Sequence, residues 1–363
     1  MNEAAPVLIS ILALFISFYA LHRITDSYFV QSLEMIASRM NMTSDIAGAS
    51  LMAIGSSAPE LFTSLLALVK SMELADLGAG TIVGSAIFNI LVIVGGSAMF
   101  GTAILNWQPA VRDLIFYIAT IVMLYIVFLD GMITLFESVF FVFSYVAYIL
   151  VLPVWRRLFP YEDQTGDEAQ VSLEPEYVSW RDTPWYWYWA LPIDILFRFV
   201  MPDLNRRPKY YVITFVLSVV IIALFSWVLV ESGVTLALYL GIPNAIIGLT
   251  VLAIGTSIPD LLSSLIVARQ GKPDMAVSNA VGSNIFDILV GLGVVWMVVI
   301  LSRGENIPIG IENLNGSVAL LMASVAALSF VLISQRWRLG RRAGLVLVSL
   351  YGLYMTATIA GWL

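Results

Sequence analysis

The sequence contains no cysteine and a single histidine, His22. That excludes a disulfide framework, thiol redox chemistry, thiolate metal binding and a histidine metal cluster. Charge is also scarce, since only 12% of the 363 residues are Asp, Glu, Lys or Arg. In their place the chain is 60% hydrophobic, with a mean hydropathy of +0.91, the composition of a polypeptide that crosses a bilayer repeatedly. Any chemistry it carries must use oxygen. The net charge of −7 argues against a nucleic-acid partner, but in a membrane protein the placement of charge matters more than its sum.

Apolar runs of roughly 20 residues predict ten spans, near 5–24, 44–69, 77–100, 112–129, 133–153, 210–230, 243–267, 275–301, 315–333 and 343–361. The opening MNEAAPVLIS carries an acid where a secretory signal would be basic, so it reads as the start of a retained helix. All but two of the 18 Lys and Arg residues, the exceptions being Lys70 and Arg303, fall in alternate loops. Those loops are expected to be cytoplasmic, with both termini outside, in a plasma or bacterial inner membrane.

The expected organisation is an N-terminal half (1–153), a cytoplasmic linker (154–209) and a C-terminal half (210–363). The linker holds the acidic run YEDQTGDEAQVSLEPE and the aromatic cluster Trp185 to Trp189, which read as a solvated segment ending at the membrane interface. A calcium site made of Glu162, Asp163, Asp167 and Glu168 is the other reading, with no EF-hand pattern behind it. Asp113, Asp130, Glu137 and Glu231 are expected near span ends, within reach of water.

The two halves repeat. AIGSSAPELFTSLLAL (53–68) matches AIGTSIPDLLSSLIVA (253–268) at 8 of 16 positions, and VGSAIFNILV (83–92) matches VGSNIFDILV (281–290) at 8 of 10. Each half has an odd number of expected spans, so equivalent helices cross in opposite directions. That arrangement places a site near the midplane where the halves meet. The repeats run over about 44–100 and 243–301.

Within these repeats stand helix breakers, hydroxyls and acids. Pro59 and Pro259 each delete a helix hydrogen bond and free a carbonyl one turn earlier, which hydrocarbon tolerates only where protein or a watery cavity surrounds it. Glu60, Asp260 and Asp287 are expected deep in spans, at about 2.5–3.5 kcal/mol each for a charged acid. No Lys or Arg is expected deep enough to pair with them, so the cluster must hold protons or metal cations. Oxygen-only ligation suits Ca²⁺. The candidates are Glu60, Asp260 and Asp287; the hydroxyls Ser56, Ser57, Ser85, Thr256, Ser257 and Ser283; the amide Asn89; and carbonyls near Ala53 and Ala253. Ser56 and Ser57 precede Glu60 by four and three residues, so they share its helix face, and Ser85/Asn89 and Ser283/Asp287 repeat the four-residue spacing. Against this, a lone membrane serine usually bonds back to its own helix, and Gly78, Gly80, Gly84, Gly95 and Gly96 serve equally well for close helix packing.

At GSSAPELF, GTIVGSAIFNIL, GTSIPD and SLIVARQGKPDMAVSNAVGSNIFDILVGLG the chain resembles the cation/calcium exchanger superfamily, and within it the potassium-dependent sodium/calcium exchangers. The resemblance implies an all-α polytopic membrane protein of about ten transmembrane helices. These would form two inverted five-helix repeats with broken helices at the midplane. It implies that Glu60 and Asp260 are the central Ca²⁺ carboxylates, that the six hydroxyls serve Na⁺ and Ca²⁺, and that Asn89 and Asp287 lie beside them. An acid at 287 goes with K⁺ transport in that family, although some microbial exchangers carry it too. Val295 stands before Trp296 where the family often has Pro, and the linker is short, which implies a minimal, prokaryote-like member.

The expected function is antiport of Na⁺ against Ca²⁺, with K⁺ moving alongside Ca²⁺, with no resident cofactor and no enzymatic activity. A Ca²⁺/H⁺ antiporter could use the same acids, and a passive cation channel could line a filter with the repeats.

Overall fold

The computed structural model describes residues 4–61, 64–65, 75–99, 103–162, 191–204, 206–239, 241, 253–308 and 311–359. The described chain is overwhelmingly helical, because each long apolar run must satisfy its backbone internally. Six of its helices are long and apolar enough to cross a bilayer: Pro6–Arg39, Thr81–Met99, Trp107–Phe128, Leu135–Leu158, Pro208–Leu236 and Pro273–Arg303; Val318–Ser334 is a shorter apolar helix. The expected spans 44–69 and 243–267 include residues outside those described.

The first helix overruns its expected end. Helix Ala4–Ile24 passes through a π-helical turn, Thr25–Phe29, into Val30–Arg39. The extension buries Phe29, Val30, Leu33 and Ala37 on one face only, an amphipathic pattern that a search for uniformly apolar runs passes over. Arg23, expected in a loop, therefore lies within the helix. The expected linker is likewise partly helical. Leu135–Leu158 runs beyond residue 153 with Pro153 inside it, and Leu191–Val200 is a separate amphipathic helix whose Phe197 is buried. Asp163, Asp167, Glu168 and the aromatic cluster lie outside the described residues; Glu162 uses its carbonyl to accept a bond from Asn106.

The helices sort into two packed bodies. Helices Ala4–Ile24 and Tyr211–Tyr239, the first of each half, pack together around Ala20, Leu21, Ile24, Ile222 and Leu229, and Phe29 stacks on Phe215 at 5.5 Å. The larger core joins helices from both halves, with Trp296 fully buried against Phe128 and Phe141.

The inversion of the repeat is visible in two small ladders. Ala103–Ile104 pairs antiparallel with Arg338–Leu339, and Met132–Ile133 pairs antiparallel with Ile307–Pro308. Exchanging the halves turns one ladder into the other. Around the first, Trp155 Nε1 donates to the Gln108 carbonyl, Arg341 Nε to Met99, and Asn106 to Asp274. The arginine-rich loops thus gather at one end of the bundle.

Candidate functional site

Each repeat helix breaks where its sequence predicts. Ala53–Ser56 gives way at Ser57 (φ −84°, ψ 5°), and Ala253–Thr256 gives way at Ser257 (φ −82°, ψ 3°). The bonds Ser57 N to Ala53 O (3.0 Å) and Leu61 N to Ser57 O (3.2 Å) carry the helical register across the break. The second helix of each repeat relaxes too. π-helical turns begin at Asn89 and at Asp287, the same repeat position, and another spans Gly48–Met52. Such turns spoil local backbone bonding and concentrate at functional sites.

These interruptions bring the predicted residues together. All twelve, including Ala53 and Ala253, are buried, none exposed by more than 1%. One carboxylate oxygen each from Glu60, Asp260 and Asp287 can be chosen so that all three lie within 4.8 Å. Ser257 Oγ donates to Glu60 Oε1 at 3.2 Å, and Asn89 Nδ2 donates to Asp260 Oδ2 at 2.9 Å and faces Ser283 Oγ at 3.2 Å. Both bonds to the acids cross between the halves.

The oxygens left over define what the site can do. Ser57 Oγ, Glu60 Oε2, Asn89 Oδ1, Asp260 Oδ1 and both Asp287 oxygens are buried without a hydrogen-bond partner. Leaving such groups dry and unpaired is costly, more so for charged ones. A donor set of carboxylates, hydroxyl and amide oxygen at this spacing suits a hard cation. The remaining hydroxyls do bond back to their own helices: Ser56 to Met52 O, Ser85 to Ile82 O, Thr256 to Ala253 O and Ser283 to Ala280 O. A hydroxyl whose proton is spent this way keeps acceptor capacity, the chemistry that a cation ligand requires. The carbonyls of Ala53 and Ala253 already accept one bond each, keeping one lone pair.

Two expectations need correction. Arg112 was expected in a loop, yet it sits inside helix Trp107–Phe128, fully buried, and Asp113 beside it is 1% exposed rather than within reach of water. Arg112 Nε pairs with Asp113 Oδ1 (2.7 Å) and its Nη1 with Asp45 Oδ2 (3.0 Å); Tyr148 and Ser278 donate to Asp113, and Tyr161 to Asp45. The two acids take up the Nε and Nη1 of this guanidinium, and the three hydroxyls bond to the acids in turn, which is why the charge can be buried although Nη2 has no partner. Burial and the Asp45 carboxylate push the pKa of the Tyr161 hydroxyl up, so it remains a donor. Arg112 is thereby committed away from the three acids of the site.

The sequence reading also missed two asparagines. Asn279 Oδ1 faces Ser56 Oγ at 3.5 Å, while its Nδ2 donates to Ser264 at 2.9 Å. Asn284 accepts from Asn89 Nδ2 at 2.9 Å and donates to Ala86 O (3.0 Å) and Tyr117 Oη (2.9 Å). Ala86 O can only accept, so the Asn284 amide is held with its oxygen toward Asn89, which in turn holds Asn89 Oδ1 free.

The family described as sodium/calcium exchanger protein matches residues 10–153 and 210–360. Among similar proteins is the human sodium/potassium/calcium exchanger 4, 28% identical, with 99% of this chain and 82% of that protein covered. The human sodium/potassium/calcium exchanger 5 is 30% identical, with 96% and 82% covered. The fold is similar to that of the sodium-calcium exchanger NCX_Mj soaked with Na⁺ and Sr²⁺, with a TM-score of 0.68 at 22% identity over 97% of this chain and 99% of that one. With its two inverted repeats and its buried acids, the chain belongs to the sodium/calcium exchanger family of multi-pass membrane proteins.

Proposed function

We propose that the protein is a secondary active antiporter that exchanges Na⁺ for Ca²⁺ by alternating access, with K⁺ carried alongside Ca²⁺. The observation that carries this reading is the buried trio Glu60, Asp260 and Asp287, within 4.8 Å and with no described cation paired to them. Three carboxylates balance one Ca²⁺ plus one K⁺, or three Na⁺, so either load neutralises the site and neither needs the other present. Coupling follows if empty and half-loaded forms cross poorly.

In this proposal Glu60 and Asp260 hold Ca²⁺, and Asn89, Asp287 and the hydroxyls of Ser56, Ser57, Ser85, Thr256, Ser257 and Ser283 complete the Ca²⁺ and Na⁺ positions. The carbonyls of Ala53 and Ala253 contribute their remaining lone pairs. Asp287 is the K⁺ determinant, a reading supported by the names of the similar human exchangers. The chain makes ten crossings in two halves, with both termini outside a plasma or bacterial inner membrane and the arginine-rich end in the cytoplasm.

Flux in reconstituted vesicles, with Na⁺, K⁺ and pH varied independently, tests the proposal. Outward Na⁺ gradients drive Ca²⁺ uptake, pH gradients do not, and external K⁺ raises uptake in wild type but little in Asp287→Asn. Uptake driven by protons without Na⁺ would favour a Ca²⁺/H⁺ antiporter. Uptake that persists without any counter-ion at channel-like rates would identify a passive pore. Equal wild-type flux with and without K⁺ would remove K⁺ from the cycle.

A further inference from the structure

The two halves share one more contact, which the matched blocks do not contain. Helices Leu135–Leu158 and Arg341–Ile359 pack crosswise, each against the second repeat helix of the opposite half. A Cβ on Gly293 would stand 3.0 Å from Phe141 Cβ and 3.2 Å from the Ser138 carbonyl oxygen. One on Gly95, the equivalent position, would stand 3.1 Å from Leu347 Cβ and 3.0 Å from the Gly344 carbonyl oxygen. These close approaches seat a tyrosine one turn further along each helix. Tyr145 lies edge-on to Phe286, with ring centroids 5.4 Å apart and planes at 75°, and Tyr351 lies edge-on to Phe88 at 5.4 Å and 76°. Phe286 and Phe88 directly precede Asp287 and Asn89. Each tyrosine is therefore placed beside a π-helical turn that opens on a site residue.

Both tyrosines bring a hydroxyl that has nothing to bond. Tyr145 is 7% exposed and Tyr351 8%, and among the described residues neither hydroxyl has a hydrogen-bond partner. A buried phenol ordinarily finds one. The neighbouring site residues are unsatisfied as well, at Asn89 Oδ1 and at both Asp287 oxygens. The symmetry ends at charge, because Tyr351 stands beside an amide and Tyr145 beside a carboxylate whose field reaches it. Since the Tyr145 hydroxyl and the Asp287 carboxylate are both unpaired, they do not bond to each other, and a third party must satisfy them. A water would complete the bonding but leave the charge of the acid; a cation answers both.

We propose that Tyr145 is a specificity-determining residue of the ion site, its hydroxyl oxygen completing the coordination of a monovalent cation at Asp287. This deepens the function given above and rests on its assignment of K⁺ to Asp287. A neutral phenol oxygen is a weak-field ligand. Such ligands replace the hydration shell of K⁺, as backbone carbonyls do in potassium filters, whereas Ca²⁺ draws on the carboxylates of Glu60 and Asp260. Tyr351, set beside an amide, takes no part.

Cation-dependent thermal stability of the purified, intact protein tests this without reference to transport, with K⁺ titrated over saturating Ca²⁺ and choline holding the ionic strength constant. K⁺ raises the wild-type midpoint, and Asp287→Asn abolishes that rise. Tyr145→Phe keeps the ring against Phe286 and removes only the oxygen. Its cation-free midpoint stays at or above that of the wild type, because an unpaired hydroxyl has gone. It needs about tenfold more K⁺ for the same rise, while its response to Ca²⁺ alone is that of the wild type. Tyr351→Phe removes the same kind of buried, unpaired hydroxyl from the equivalent place and keeps the wild-type K⁺ response. A wild-type K⁺ response in Tyr145→Phe, with the response lost in Asp287→Asn, overturns the role of Tyr145 and leaves the assignment of K⁺ to Asp287 standing. Equal weakening in Tyr351→Phe overturns it too, because any deleted phenol would then have the effect. A wild type indifferent to K⁺ overturns the assignment to Asp287 and the proposal with it.

Discussion

Asn89 illustrates how a single amide is aimed. Its Nδ2 faces Asp260, Ser283 and Asn284, and its oxygen is left buried and unpaired. Removing Asn284 frees the amide to turn and takes a donor from the Ala86 carbonyl, at a cost of about 1–3 kcal/mol. Asn284→Ala is therefore expected to raise the Ca²⁺ concentration for half-maximal uptake about tenfold while Na⁺-driven transport persists; an unchanged concentration dependence would show that Asn284 does not orient Asn89. The residue was in view in the sequence, as one of the two mismatches in the ten-residue block (Ala86 against Asn284, Asn89 against Asp287). Matching rewards identity, so a residue that acts by breaking the symmetry drops out. In the structure it bonds to the very position it fails to match.

At the level of elements, the site depends on how closely helix Pro273–Phe286 approaches the Gly48–Met52 turn. A Cβ on Gly282 would stand 2.7 Å from Ala49 Cα and 2.8 Å from its carbonyl oxygen. Both are backbone atoms that cannot swing away, so the helix itself must shift. Gly282→Ala is expected to destabilise by about 1–3 kcal/mol, read as a lower thermal midpoint. Gly352→Ala, where a Cβ meets nothing within 4 Å, is expected to hold or raise the midpoint by reducing unfolded-chain entropy. Equal midpoints in the two variants would refute the close-approach argument. The helices themselves were legible from apolar runs, and the breaks from Pro59 and Pro259. The overrun to Arg39 and the buried Arg112 were not, because an amphipathic extension and a neutralised cation both look like loop to a hydropathy scan. Asp45, brought from 67 positions away, joins the neighbouring Asp113 in making Arg112 a core residue.

Over the whole molecule, three acids lie within 4.8 Å of one another, and in the proposed site a bound cation would join Glu60 of one half to Asp260 and Asp287 of the other. A cation that binds only the folded state stabilises it by about 2.7 kcal/mol at a hundred times its Kd. Ca²⁺ is therefore expected to raise the thermal midpoint of the wild type by several degrees. In Glu60→Gln the cation-free midpoint should equal or exceed that of the wild type, because one repelling charge is gone, and the Ca²⁺ shift should disappear. A retained shift in Glu60→Gln would remove that carboxylate from the proposed site.

The sequence by itself determined that the chain is a bundle of membrane helices, that its halves repeat with opposite sense, and that acids and hydroxyls cluster around two interruptions. These follow from composition, run length and the odd number of expected spans in each half, which are properties of the chain read in order. Only the tertiary structure decided which oxygens remain unpaired, which amide holds another in place, and which cation is already spoken for. Those outcomes depend on residues nearly 200 positions apart, as with Ser257 and Glu60. A hydrogen bond is settled by distance and angle in space, on which sequence order alone is silent.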